Sequence, residues 1–111
     1  MTVALISLLD FESFSVRLIH AVLEKNGIDV KSIFLKSKLG ERISDKEMKI
    51  LIDYLKSIKP AFIGLSLRSR YYSIACRITD DIKKEINVPI VWGGIHPTID
   101  PDNCIKHADI I

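Results

Sequence analysis

The stretch Val91-Trp92-Gly93-Gly94-Ile95-His96-Pro97-Thr98 carries the clearest chemical signal in the chain. Two adjacent glycines at the end of an apolar run remove Cβ atoms from the backbone, so a large flat or phosphorylated ligand can lie against it. They also offer amide N–H groups as donors. The same pair makes a tight turn between a strand and the next segment, and spacing alone leaves both readings open. Gly64-Leu65-Ser66 closes another apolar run and offers a hydroxyl at a comparable place. His96 could ligate a metal or bond a phosphate, or it could only shape a loop before Pro97. Arg68, Arg70, Tyr71 and Tyr72 could hold a phosphate or a partner domain, with a solvated loop as the plain alternative.

Several chemistries are excluded. The 2 cysteines, Cys76 and Cys104, form neither a disulfide framework nor a C-x-x-C zinc spacing. Cys104 and His107 stand as C-x-x-H, but two ligands do not make a structural zinc site, so no metal site is expected. Cys76 and Trp92 read as packing residues, and Lys36, Lys38 and Arg42 as a solvated loop face. An iron–sulfur C-x-x-x-C-x-x-C motif, the dinucleotide fingerprint G-x-G-x-x-G and a P-loop are all missing from the sequence. No nucleophile or acid–base constellation is visible, and no catalytic residue is expected. Sixteen Lys and Arg against 14 Asp and Glu leave a net charge of +2, dispersed and without basic runs, which gives no footprint for nucleic acid.

These residues need elements to position them. Val3–Leu9, Ala61–Leu67 and Val88–Trp92 are apolar runs, the pattern of strands covered on both faces of a parallel sheet. Ile28–Leu35 alternates and reads as a strand near the sheet edge. Glu12–Asn26 reads as a helix with Ser13, Arg17, His20 and Glu24 on its polar face and Phe14, Leu18 and Val22 on its buried one. Ser44 to Glu47 forms a capping box that starts a helix running to about Ile58, and Tyr71–Ile86 is a third helix. Asp100-Pro101 resembles an N-cap with proline at the first helical position, opening a short helix to about His107. Ala108–Ile111 would open a fifth strand. Strands alternating with helices predict a flavodoxin-like, doubly wound α/β fold: a parallel five-stranded sheet of order 2-1-3-4-5 in a three-layer sandwich, its last strand truncated. In such sheets ligands bind beyond the carboxyl ends of the strands, near the switch between strands 1 and 3. The candidate loops are therefore Leu9–Glu12, Lys36–Ile43, Leu67–Tyr71 and Gly93–Pro101. A receiver domain is excluded, because strand 3 ends in Gly64-Leu65-Ser66-Leu67 without a carboxylate. A flavodoxin phosphate loop is excluded by Asp10 and Glu12, which would repel a phosphate.

Gly64-Leu65-Ser66 and Gly93-Gly94-Ile95-His96-Pro97-Thr98, with the later Asp100-Pro101 and Ala108-Asp109, resemble the cobalamin-binding domain of B12-dependent radical S-adenosylmethionine enzymes, a group that includes proteins resembling the anaerobic magnesium-protoporphyrin monomethyl ester cyclase. The resemblance implies that Gly93 and Gly94 let the cofactor's nucleotide tail lie against the backbone. It also implies that Ser66 faces the tail or its benzimidazole, that Leu67 packs on the displaced base, and that His96, Pro97 and Thr98 border the cofactor. The usual D-x-H-x-x-G after strand 1 is replaced by Asp10-Phe11-Glu12-Ser13, and the usual S-x-L by Ser66-Leu67-Arg68. The implied cofactor is thus a base-off cobalamin without a protein His ligand. S-adenosylmethionine and an iron–sulfur cluster would belong to a separate C-terminal radical domain. The chain, 1–111, is then expected to be one domain and the N-terminal fragment of a longer protein, without turnover of its own. Gly94→Val is expected to abolish cofactor binding and leave the domain folded.

A noncatalytic α/β sensing or interaction domain is the alternative, in which Gly93-Gly94 is only a turn. No signal peptide or membrane span is visible, since the N-terminus lacks a basic region and meets Asp10, so a cytoplasmic location without membrane or nucleic-acid partners is expected. The sequence leaves the oligomeric state open.

Overall fold

Runs of Val, Ile and Leu become strands, because branched side chains pack well on a pleated surface covered from both sides. The computed structural model of the protein describes residues 1–8, 14–35, 43–67 and 71–111. Along the chain run β1 (Thr2–Ser7), α1 (Phe14–Lys25), β2 (Asp29–Phe34), α2 (Asp45–Ile58), β3 (Phe62–Ser66), α3 (Tyr72–Glu85), β4 (Ile90–Gly93), α4 (Ile95–Ile99) and α5 (Pro101–Cys104). The strands form one parallel sheet of order β2-β1-β3-β4, with Val3 paired to Val30 and Phe62, and Gly64 paired to Val91. A parallel bridge between Val91 and Ile110 sets the start of a fifth strand beside β4. This is the flavodoxin-like order expected from the sequence, with β2 at the edge.

Side chains alternate across the sheet, so each strand feeds two layers. Ala4, Ile6, Ile63, Leu65, Ile90 and Trp92 pack with Met48, Leu51, Leu55, Ile74 and Ile78 of α2 and α3 in the larger core. Val3, Leu5 and Val30 pack with Val16 of α1 in the smaller one, with Leu23 and Phe62 partly buried against them. The capping box at α2 is formed: the Glu47 N–H donates to Ser44 Oγ at 3.1 Å, and Glu47 Oε1 accepts from the Ser44 N–H.

Four expectations change. The buried stripe of α1 holds Val16 and Leu23, while Leu18 and Val22 are each 52% exposed. Apolar residues occur on both sides of this helix, so hydropathy alone could not orient it. His20, placed on the polar face, turns toward β2, where Nδ1 lies 2.6 Å from Ser32 Oγ and Nε2 3.3 Å from Glu24. The Gly93–Pro101 loop contains the short helix α4, which accepts Pro97 because a first-turn N–H has no intrahelical partner anyway. The helix after Asp100 ends at Cys104, and Asp100 makes no side-chain cap; its carboxylate accepts from Asn103 Nδ2 instead. The readings for Asp10 to Ser13, for Lys36, Lys38 and Arg42, and for Arg68 and Arg70 fall outside the described residues.

Trp92 is a core residue, as its place in an apolar strand implied. It is fully buried, its Nε1–H donates to Thr79 Oγ1 at 2.9 Å, and the His107 ring stacks on it at a centroid distance of 5.9 Å. Thr79 is also fully buried, so Thr79→Val strands the indole N–H away from water. That change is expected to cost about 1–3 kcal/mol, measurable as a lower urea midpoint with unchanged slope.

Asp109 ties the last segment to β4. One carboxylate oxygen accepts from the Ile90 N–H at 2.9 Å and the other from Lys83 Nζ at 3.1 Å. The backbone bond first, and Lys83 second, hold its carboxyl below the ordinary carboxylate range. A depressed folded-state pKa stabilises the fold above the unfolded value of about 3.9 and loses that contribution as pH falls through the lower folded value. Asp109→Asn is therefore expected to flatten the loss of stability below about pH 4. Urea unfolding of both proteins at pH 7 and pH 3 checks this.

Candidate functional site

The period of two along β3 and β4 decides which residues meet on the α1 side. Phe62, Gly64 and Ser66 share that face of β3, and Val91 and Gly93 share it on β4, in register with Gly64 and Ser66. Helix α1 packs over β1 and β2 through Val16, which leaves the β3–β4 half of this face uncovered by the described helices. The result is a cavity of about 320 Å³ between helix and sheet. Ile19, Val16 and Leu23 of α1 and Leu5 of β1 form its walls, with Phe62 and Val91 opposite. Its floor is made of the smallest groups: Gly64, Ser66, Gly93 and Gly94.

The two adjacent glycines do different work. Gly94 has φ +107° and ψ −164°, a conformation almost confined to glycine. A Cβ there would stand 2.6 Å from the Leu67 carbonyl oxygen and 3.2 Å from the Leu67 nitrogen. Gly94 thus lets the end of β4 cross closely over the end of β3, where the Leu67 N–H donates to the Gly93 carbonyl at 3.1 Å. Gly93 has no such constraint: a Cβ would meet nothing within 4 Å and would open into the cavity. The close turn thus requires glycine at Gly94, whereas Gly93 leaves open space on the cavity side. The expectation that Gly94→Val leaves the domain folded is accordingly corrected, because that position is closed by backbone atoms.

The structure brings Ser66, Gly93 and Gly94 together at the cavity and sends the other candidates elsewhere. Leu67, expected at the mouth, is buried in the larger core, since it follows Ser66 and must point to the opposite face. Pro97 is fully buried. His96 packs its ring 4.8 Å from Tyr72, with Nε2 3.9 Å from Asp100 Oδ2, and it does not line the cavity. Thr98 is exposed, and its hydroxyl donates to the Gly94 carbonyl at 2.9 Å, which steadies the turn. Leu67, His96 and Pro97 therefore support the site from behind.

The described residues that line the cavity, aliphatic groups, one Phe and the hydroxyls of Ser15 and Ser66, can bind a flat apolar ring. The described thiols do not add a nucleophile, because burial pushes both Cys76 and Cys104 up from the ordinary thiol range. Among the described residues no cluster of His, Cys, Asp or Glu could hold a metal ion. The family model of the B12 binding domain matches residues 2–111. The chain belongs to the B12-binding domain family. No curated protein matches it. No helix among the described residues is long and apolar enough to cross a membrane.

For a B12-binding domain the cavity has the right character. Cobalamin carries a nucleotide tail that ends in a flat, largely apolar dimethylbenzimidazole, and the missing Cβ at Gly93 leaves open space on the apolar floor. Sequence reasoning missed the walls: Leu5, Val16, Ile19, Leu23, Phe62 and Val91. Part of that signal was present, because alternation from Ser66 leads to Gly64 and Phe62, and alternation from Gly93 leads to Val91. The α1 contribution had no comparable signal, since the rotation of the helix was not readable.

Proposed function

We propose that this B12-binding domain holds cobalamin in the base-off form, with the displaced dimethylbenzimidazole in the slot between α1 and the β3–β4 face. The observation that carries this reading is the slot itself, apolar on its walls and glycine-lined on its floor. Gly93 admits the ring, Gly64 keeps the floor flat, and Ser66 offers a hydroxyl to the base or its ribose. The 3 histidines give further support, because each is engaged away from the slot: His20 with Ser32 and Glu24, His96 against Tyr72, and His107 on Trp92 with Nδ1 3.1 Å from Asp80.

When bound, the cobalamin supplies methyl-transfer or radical chemistry, and the domain's residues bind and orient it. On the resemblance of its glycine-containing motifs, the domain serves a B12-dependent radical S-adenosylmethionine enzyme whose catalytic part carries the iron–sulfur cluster. The domain itself contributes positioning and no catalytic residue.

Titration of the purified protein with hydroxocobalamin, followed by visible absorption, tests the reading. Saturable binding with a shift to the base-off spectrum is expected. Binding with an unchanged base-on spectrum would overturn the base-off assignment, and no binding would favour the sensing or interaction domain.

A further inference from the structure

Glycine rotates where other residues do not, so the shape of a glycine turn has to be held from outside it. Gly94 joins two peptide planes, and each plane has its own partner. The plane before it is held by the Gly93 carbonyl, which accepts from the Leu67 N–H at 3.1 Å. The plane after it is held by the Gly94 carbonyl, which accepts from Thr98 Oγ1 at 2.9 Å. As the N-cap of α4, Gly94 also offers this carbonyl to the first bond of the helix. A helix of 5 residues is little more than a nucleation turn and holds weakly by itself. The Thr98 hydroxyl reaches back four residues and adds a second bond to that turn.

Resting on the reading that Gly93 and Gly94 floor the slot for the cobalamin tail, we propose that Thr98 is a positioning residue for the cofactor. Its hydroxyl clamps ψ of Gly94 and keeps the floor in its binding shape before the ligand arrives. Thr98 is exposed and lies outside the described lining of the slot, so it acts through Gly94 and not on the ligand. Without the hydroxyl, water can serve the carbonyl of the exposed Gly94, and the fold loses little. The glycine regains rotational freedom, however, and binding must then remove it.

Thr98→Val removes the hydroxyl at nearly constant shape, and Thr98→Ser keeps it. The two variants and the original protein are titrated with hydroxocobalamin, melted, and followed by amide hydrogen exchange without ligand. Thr98→Val is expected to bind about three- to tenfold more weakly, with a melting temperature within about 3 °C of the original. Thr98→Ser is expected to bind within about twofold of the original. Amides of residues 94–99 are expected to exchange faster in Thr98→Val alone. Equal affinity of Thr98→Val and the original would overturn the proposal while leaving the tail reading intact. A loss in Thr98→Ser as large as in Thr98→Val would overturn it too, because the methyl group and not the hydroxyl would then matter. Unchanged exchange in Thr98→Val would overturn the clamp. Absence of binding by the original protein would overturn the tail reading and, with it, the positioning role.

Discussion

Gly93→Leu is expected to leave the domain folded and to weaken cobalamin binding by at least about a hundredfold, or about 2.7 kcal/mol. The position lies at the end of β4 without positive φ, so its backbone accepts any residue. A Cβ meets nothing within 4 Å, and the rest of a leucine side chain extends into the cavity bordered by Gly64, Ser66 and Ile19. Glycine in a strand interior is unfavourable compared with a branched residue, so the substitution has no reason to lower stability. The cavity of about 320 Å³ would lose much of its space at the floor, where a flat ring must lie. A thermal melt within about 2 °C of the original protein, together with lost binding, is the expected pair of results. Retained binding would mean that the tail does not cross the floor at Gly93.

Gly94→Ala is expected to act in the opposite way, by destabilising the domain whether or not ligand is present. Its φ of +107° and ψ of −164° suit glycine, and the added Cβ would meet the Leu67 carbonyl oxygen at 2.6 Å. Backbone atoms cannot rotate aside as a side chain can. The cost is roughly 3–5 kcal/mol, a large share of the 5–15 kcal/mol that stabilises an ordinary domain. The melting temperature should fall by more than about 10 °C, with cobalamin affinity lost in proportion to the unfolded fraction. A stable, cobalamin-blind Gly94→Ala protein would show instead that Gly94 is a ligand contact. The two adjacent glycines thus separate function from folding in a pair of single substitutions.

Much of this was legible in the amino-acid sequence, for identifiable reasons. The parallel sheet was readable because Val3 to Ser7, Phe62 to Ser66 and Ile90 to Trp92 are apolar on both faces, which helices on both sides require. The capping box at Ser44 and Glu47 marked the start of α2 to the residue. Leu67 was misplaced because a string of neighbours was read as one site, although adjacent strand residues point to opposite faces. Pro97 and His96 were drawn into the same string; the turn at Gly94 and the short helix α4 carry them to the core side instead. The walls on α1 were hidden for a different reason. Leu18, Ile19 and Val22 are as apolar as Val16 and Leu23, so only the packing against β1 and β2 selects which of them turn inward.

The most direct test compares cobalamin with cobinamide, a corrinoid that lacks the nucleotide tail, in equilibrium titrations of the original protein. If the slot between α1 and β3–β4 receives the tail, cobalamin binds and cobinamide binds at least about a hundredfold more weakly. Equal affinity for the two would contradict the account, because the corrin ring alone would then carry the recognition.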